Sequence, residues 1–209
     1  MKIKATRGCG ILENFLARQR ARKANELISG KLRKGCILDI GCGSHPYFLL
    51  NTDFSRKHGL DKSLHGESVH GGRSHIAIKK FDMEADQMLP YGDESFDVVT
   101  MLAVIEHIEP LKLEQILSDV FRVMKSGGEL IVTTPAFWTD GLLSVLAYVN
   151  LVSREEIDEH KDTYSHNKLS KLLVTTGFDK KNIEMGYFEL FMNIWLKATK
   201  GAILENKCK

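Results

Sequence analysis

A chain of 209 residues is long enough for one α/β domain with a continuous core and short for two. Its 29 Lys and Arg against 27 Asp and Glu leave a net charge of +2, so no strong field draws in nucleic acid. Cys9, Cys36, Cys42 and Cys208 form no CxxC pair, which fits a reduced, cytoplasmic compartment, and no apolar run approaches the roughly 18 residues of a membrane span.

Residues 11 to 29 place Leu12, Phe15, Leu16, Ala17, Ala21, Ala24, Leu27 and Ile28 at helical spacing among Arg18, Arg20, Arg22 and Lys23. The pattern predicts an amphipathic helix with a solvated basic face, capped by Gly30; a second reading has it also close over a site or touch an anionic substrate. The stretch Cys36-Ile37-Leu38-Asp39-Ile40-Gly41-Cys42-Gly43 then reads as a buried strand that ends on an acid and breaks into a ligand loop. Apolar side chains on both faces mark a central parallel strand covered on both sides. Gly41 and Gly43 free the backbone for φ > 0 and let a ligand approach the peptide groups. Asp39 stands at the carboxyl end of the strand, the edge at which open α/β sheets bind ligands.

Pro46 suits the first turn of a short helix over Tyr47 to Leu50. Residues 57 to 61 form a second strand that again ends on an acid. Asp61 follows Asp39 by roughly the 20 residues at which nucleotide folds place a carboxylate for ribose hydroxyls. Residues 62 to 75 have no apolar period and read as a loop or frayed helix. His65, His70 and His75 lie there without acids or cysteines at ligand spacing, so no metal site is expected.

Ile76 opens a third strand that runs into Lys79-Lys80-Phe81-Asp82-Met83, and a turn over 89 to 95 leads to a fourth, Phe96 to Leu102, where Asp97 orders the turn. Pro110 opens a helix with Leu113, Ile116, Leu117, Val120 and Met124 at helical spacing; Gly127-Gly128 ends it and residues 129 to 134 form a fifth strand. Beyond Pro135 the apolar segment 141 to 152 reads either as a core or edge helix or as part of a lid, about 137 to 165, lining an acceptor pocket. Ser165 caps a helix that stops at Gly177, residues 183 to 191 and 193 to 198 form an antiparallel pair, and 200 to 209 form a mobile tail. Strands alternating with helices predict a doubly wound, mostly parallel sheet in a single domain over residues 1 to 209.

Five blocks stand in order: Ile37-Leu38-Asp39-Ile40-Gly41-Cys42-Gly43, Gly59-Leu60-Asp61, Asp82 with Leu89-Pro90, Phe96-Asp97-Val98-Val99, and Val104-Ile105-Glu106-His107. This set resembles the class I S-adenosylmethionine-dependent methyltransferases over about residues 35 to 135. It is most similar to their small-molecule branch, the ubiquinone and menaquinone methyltransferase-like proteins of methyltransferase type 11. His45 departs from the pattern, since the family usually has a third glycine there. The resemblance implies a Rossmann-like α/β fold with a seven-stranded sheet, helices on both faces and an antiparallel C-terminal strand. It also implies S-adenosyl-L-methionine as cofactor and S-adenosyl-L-homocysteine as product. By the same resemblance Asp39 and the backbone of Gly41, Cys42 and Gly43 hold the methionine end, and Asp61 takes the ribose hydroxyls. Asp82 with the Met83 backbone takes the adenine edge, the stem of Lys62 covers the adenine face, and Leu102 joins the cofactor-binding set.

Methyl transfer from a sulfonium is an in-line displacement that rests on alignment and needs no protein nucleophile. A hydroxyl or protonated amine acceptor must lose a proton, and His107, just past the fourth strand, is the candidate general base; the competing reading is that it only orders the loop. His160, Tyr164 and His166 are candidate substrate contacts. No Asn-Pro-Pro-Tyr, Asp-Pro-Pro-Tyr or Pro-Cys block follows the fourth strand, which ranks nucleic acid low as an acceptor. The expected activity is methyl transfer to an oxygen or nitrogen of a small-molecule, sugar or lipid-linked acceptor. A catalytically inactive cofactor-binding regulatory module is the alternative. An NAD-dependent dehydrogenase ranks below both, because Pro46 stands where its fingerprint needs a small residue. Peripheral membrane contact and oligomeric state stay open.

Overall fold

The computed structural model describes residues 13–63, 68–70, 76–136, 164–189 and 191–201. Residues 137 to 163 of the expected lid, with its apolar core at 141 to 152, together with His65, His75, His160 and residues 202 to 209, lie outside the described residues.

Helix α1 spans Glu13–Leu27 and is followed by a 3-10 turn, Gly30–Lys34. Strand β1 is Cys36–Ile40, the short helix α2 is Tyr47–Leu50, and β2 is Arg56–Asp61. Strands β3 (Ser68–His70) and β4 (Ile76–Lys80) precede β5 (Phe96–Leu102), a 3-10 turn at Ile105–His107 and helix α3 (Pro110–Val123). Strand β6 is Met124–Pro135, α4 is His166–Thr175, and β7 (Ile183–Phe188) and β8 (Asn193–Thr199) close the sheet.

The sheet order is β3-β4-β2-β1-β5-β6-β8-β7. Strands β4, β2, β1, β5 and β6 are parallel neighbours, whereas β8 runs antiparallel to β6 and β7 antiparallel to β8. The seven expected strands are present, and an eighth joins them. Ser68–His70 pairs antiparallel with Ile76–Ile78 at the edge, so part of the stretch read as loop or frayed helix is a strand. From β1 the chain winds outward through β2 and β4, then returns to the other side of β1 with β5. The reversal places a crevice between the carboxyl ends of β1 and β5, where such sheets bind ligands.

Alternation along the strands builds two cores. Ile37, Val98 and Ile131 face α1 and α2, packing with Ala21, Ala24, Ile28, Phe48 and Leu49. Leu38, Ile40, Val99, Met101, Leu130 and Val132 face the other way, against Leu113, Leu117 and Val120 of α3 and Leu169 and Leu173 of α4. Central strands that are apolar on both faces are thus covered on both faces.

Gly30 does not cap α1. The Ser29 N–H donates to Glu129 Oε2 (2.9 Å) instead of continuing the helical ladder, while the Asn25 carbonyl that it leaves takes Arg33 (2.8 Å). Gly127 and Gly128 likewise lie inside β6 rather than ending α3, which stops at Val123. Gly127 sits at φ 76° and its N–H donates to the Lys200 carbonyl (2.8 Å). Lys200 is not part of a free tail: it is 4% exposed and its Nζ donates to the Met124 carbonyl (2.8 Å). Ser165 does cap α4, accepting from Lys168 N. Asp97 ties strand beginnings together, accepting from Cys36 N (2.8 Å) and Lys125 Nζ (2.7 Å) at the edge opposite the crevice.

Candidate active site

Strands β1 and β2 end side by side, and their last residues build one loop. The Leu60 carbonyl accepts from both Gly41 N (2.8 Å) and Cys42 N (3.2 Å), and Gly43 N donates to Asp61 Oδ2 (2.8 Å). Asp61 Oδ1 accepts from Ser63 N (2.9 Å) and from the Ser63 hydroxyl. The loop is therefore fixed to the second strand through its own acid.

Both loop glycines are needed. Gly41 (φ 76°) and Gly43 (φ 73°) occupy the left-handed region, and a Cβ on Gly41 would stand 2.4 Å from Val104 Cγ2. A Cβ on Gly43 would meet nothing nearer than the His45 backbone at 3.9 and 4.0 Å, so the His45 departure leaves the loop open at this point. Gly59 serves the same loop from below, since a Cβ there would stand 2.7 Å from Cys42 Sγ.

Asp39 is 4% exposed and accepts from Thr100 Oγ1 (2.6 Å) across the β1–β5 pair. Burial pushes its carboxyl up to about 7; the Thr100 hydrogen bond opposes the shift and the charge of Asp61 adds to it. A buried carboxyl beside a second carboxylate is a site that a cation completes. The ammonium of an amino acid moiety fits that need, and Asp61, a carboxylate at the end of the neighbouring strand, has the acceptor chemistry that suits a diol. The residues present thus fit S-adenosylmethionine.

Farther along the edge, Asp82 Oδ1 accepts from Glu84 N (3.0 Å) and its carbonyl accepts from Asp86 N (2.8 Å), holding a turn after β4 in which Met83 is half-buried. Lys62 follows Asp61 and is exposed. Leu102, half-buried, ends β5, and Ala103 then turns at φ 55° with its N–H on the Thr133 carbonyl (2.8 Å). This turn delivers Val104 onto Gly41 and starts the 3-10 turn bearing His107, which is half-buried at the same edge. Glu106, 3% exposed, accepts from Thr134 Oγ1 (3.1 Å), and the buried Tyr164 hydroxyl donates to the Ile105 carbonyl (3.4 Å). Tyr164 therefore supports this turn from inside. His166 opens α4, its ring centroid 4.5 Å from that of Tyr187.

The structure thus gathers Asp39, Gly41, Cys42, Gly43 and Asp61 into one loop, with Leu102 and His107 at the neighbouring strand end. Sequence reasoning missed Thr100, Val104 and Ser63, the groups that hold this loop. Thr100, a hydroxyl within an apolar strand, and Val104, the first residue of the fifth block, had legible signals.

A methyltransferase-domain family model matches residues 12–182. The chain belongs to that family, the class I S-adenosylmethionine-dependent methyltransferases, whose cofactor is S-adenosylmethionine. It is 30% identical over 102 residues to the ubiquinone biosynthesis O-methyltransferase of Maricaulis maris, a match covering 47% of this chain and 39% of that protein. The chain therefore spans about two fifths of the length of that curated relative. Among solved structures it superposes on a Thermotoga maritima S-adenosylmethionine-dependent methyltransferase with a TM-score of 0.61 at 19% identity, covering 87% of each chain. It also superposes on phosphoethanolamine N-methyltransferase 2 of Haemonchus contortus, solved with S-adenosyl-L-methionine, with a TM-score of 0.58 at 15% identity, covering 88% of this chain and 52% of that one. These two likenesses concern the fold. Among the described residues no helix is long and apolar enough to cross a membrane, and no cluster of three metal-ligating side chains occurs.

Proposed function

We propose that this chain transfers a methyl group from S-adenosylmethionine to an oxygen or nitrogen of a small-molecule, sugar or lipid-linked acceptor. The observation that carries the reading is the loop in which Gly43 N donates to Asp61 Oδ2 while Asp39 lies buried one strand away. The bound cofactor supplies a methyl group already activated on a sulfonium, so that its departure with the acceptor's electron pair leaves a neutral thioether. Asp39 faces the cofactor's ammonium, the Gly41, Cys42 and Gly43 backbone admits its methionine portion, and Asp61 accepts from the ribose hydroxyls. Asp82, the Met83 backbone and the stem of Lys62 would hold the adenine, and Leu102 would join the residues that contact the cofactor.

His107 accepts the proton that the acceptor loses. An O-methyltransferase and an N-methyltransferase both stand among the similar proteins, which supports keeping both acceptor atoms in the proposal. The test is release of S-adenosylhomocysteine on a panel of phenols, amines and sugars. His107→Ala should lower kcat by about 10²–10⁴-fold and leave S-adenosylhomocysteine affinity unchanged. An unaltered kcat would return His107 to the loop-ordering reading. Cofactor binding without turnover on any acceptor would favour the regulatory module.

A further inference from the structure

The turn between β7 and β8 carries a group that the cofactor site does not use. Glu189 Oε2 accepts from Asn193 Nδ2, while Glu189 Oε1 is buried and has no hydrogen-bond partner among the described residues. A buried acceptor left unpaired is costly and calls for an explanation. The turn is also held in an uncommon backbone state: Glu189 lies at φ 51° and Phe191 at φ 69°, both non-glycine residues in the left-handed region. It is anchored, since Met192 N donates to the Glu189 carbonyl (3.0 Å) and the Met192 carbonyl accepts from Ala136 N (2.9 Å) at the end of β6.

The register shows on which face of the sheet Asn193 lies. Asn193 lies opposite Pro135, and Trp195 opposite Thr133; Thr133 in turn pairs with Leu102, Ile131 with Thr100, and Thr100 with Asp39. Because residues directly opposite, and residues two apart along a strand, share a face, Asp39, Thr100, Leu102, Thr133 and Asn193 lie on one face, the α1 side of the sheet. The bond from Asn193 Nδ2 to Glu189 Oε2 ties that carboxyl to the Asn193 side chain on this face. Thr133 Oγ1 is a second buried hydrogen-bonding atom on this face with no partner among the described residues. Two orphaned polar groups therefore lie beyond Leu102, on the side away from the cofactor loop. Phe191, in the same turn, is 67% exposed and offers apolar surface.

We propose that Glu189, steered by Asn193, binds a hydrogen-bond-donating group, hydroxyl or ammonium, of the methyl acceptor. This rests on the methyltransferase reading above. Burial already lifts the carboxyl above its ordinary range, with Arg20 and the Asn193 hydrogen bond opposing, and a ligand donor on Oε1 supplies the missing partner. Glu189→Gln is the informative change. With Asn193 Nδ2 holding the amide oxygen, the amide nitrogen takes the Oε1 position and turns an acceptor into a donor.

The experiment titrates the full chain, saturated with S-adenosylhomocysteine, with catechol and with tyramine by calorimetry. At least one probe should bind, Glu189→Gln should weaken it tenfold or more, and Asn193→Ala should weaken it severalfold. Both variants should keep the wild-type affinity for S-adenosylhomocysteine, which also reports that they fold. Binding of neither probe to the loaded wild-type chain, or equal binding by wild type and both variants, overturns the proposal. Failure of S-adenosylhomocysteine itself to bind wild type overturns the methyltransferase reading and this proposal with it.

Discussion

Thr100 Oγ1 donates to Asp39 Oδ1 at 2.6 Å, joining the central strand to its neighbour immediately below the glycine loop. That hydroxyl is a neutral partner for a carboxyl that burial has pushed up to about 7. In the free protein Asp39 is therefore protonated below neutral pH, and an ammonium must displace that proton. Affinity for S-adenosylhomocysteine should fall as pH drops below about 7, approaching tenfold per pH unit, and level off above it. Asp39→Asn should remove this dependence and weaken binding throughout; calorimetric titrations from pH 5.5 to 8.5 make the comparison. The same raised pKa makes Asp39 a liability to the unliganded fold as pH climbs from the unfolded value toward 7, because the unfolded chain ionises first. The apo Asn variant should accordingly gain stability over wild type above pH 7.

Gly41→Ala meets two obstacles at once, a left-handed backbone and Val104 Cγ2 at 2.4 Å. A loss of about 1–3 kcal/mol in chemical denaturation is expected, with cofactor affinity lowered as the loop shifts. Adding Val104→Ala should recover part of the stability, since it removes the clash but not the strain. No recovery would mean that strain alone sets the cost.

Asp61 has a double task, fixing Gly43 N and, in the proposed complex, accepting from the ribose. Asp61→Ala should weaken S-adenosylhomocysteine binding by about 1.5–3 kcal/mol, the worth of hydrogen bonds to a charged group. Affinity equal to wild type in the same titration would remove Asp61 from the cofactor site.

Glu129 tests the fold away from the site. Burial pushes its carboxyl up, but hydrogen bonds from Ser29 N and Oγ and the Lys197 ammonium at 3.0 Å outweigh that and hold it below the usual range. An acid with a lowered native pKa stabilises fully above its unfolded value, and the contribution disappears as pH falls through the native one. Glu129→Ala should therefore cost about 2–3 kcal/mol near neutral pH, less than a fully isolated buried pair because Lys197 keeps the Leu27 carbonyl at 3.0 Å. The difference from wild type should shrink below pH 4 in thermal melts.

Much of this architecture was legible because it follows from local pattern. Two-sided apolar strands, the Asp39 and Asp61 strand ends and the Ser165 cap each carry their signal within a few residues. What escaped depends on partners distant in sequence. Gly30 looked like a cap until Glu129, 100 residues away, took the Ser29 N–H. Gly127-Gly128 looked like a helix end, yet the glycines serve an irregular strand bonded to Lys200. The partners of Asp39 and Gly41, Thr100 and Val104, come from a strand and a turn that only sheet order brings beside the loop. Glu189 lay inside an expected strand, and nothing local announced a turn with two left-handed residues.

The most direct measurement is calorimetric titration of the purified chain with S-adenosylmethionine, S-adenosylhomocysteine and NAD in parallel. A site for S-adenosylmethionine predicts that both adenosyl ligands bind, that NAD does not, and that Asp39→Asn weakens both. Binding of NAD alone, or adenosyl binding indifferent to both Asp39 and Asp61, would contradict it.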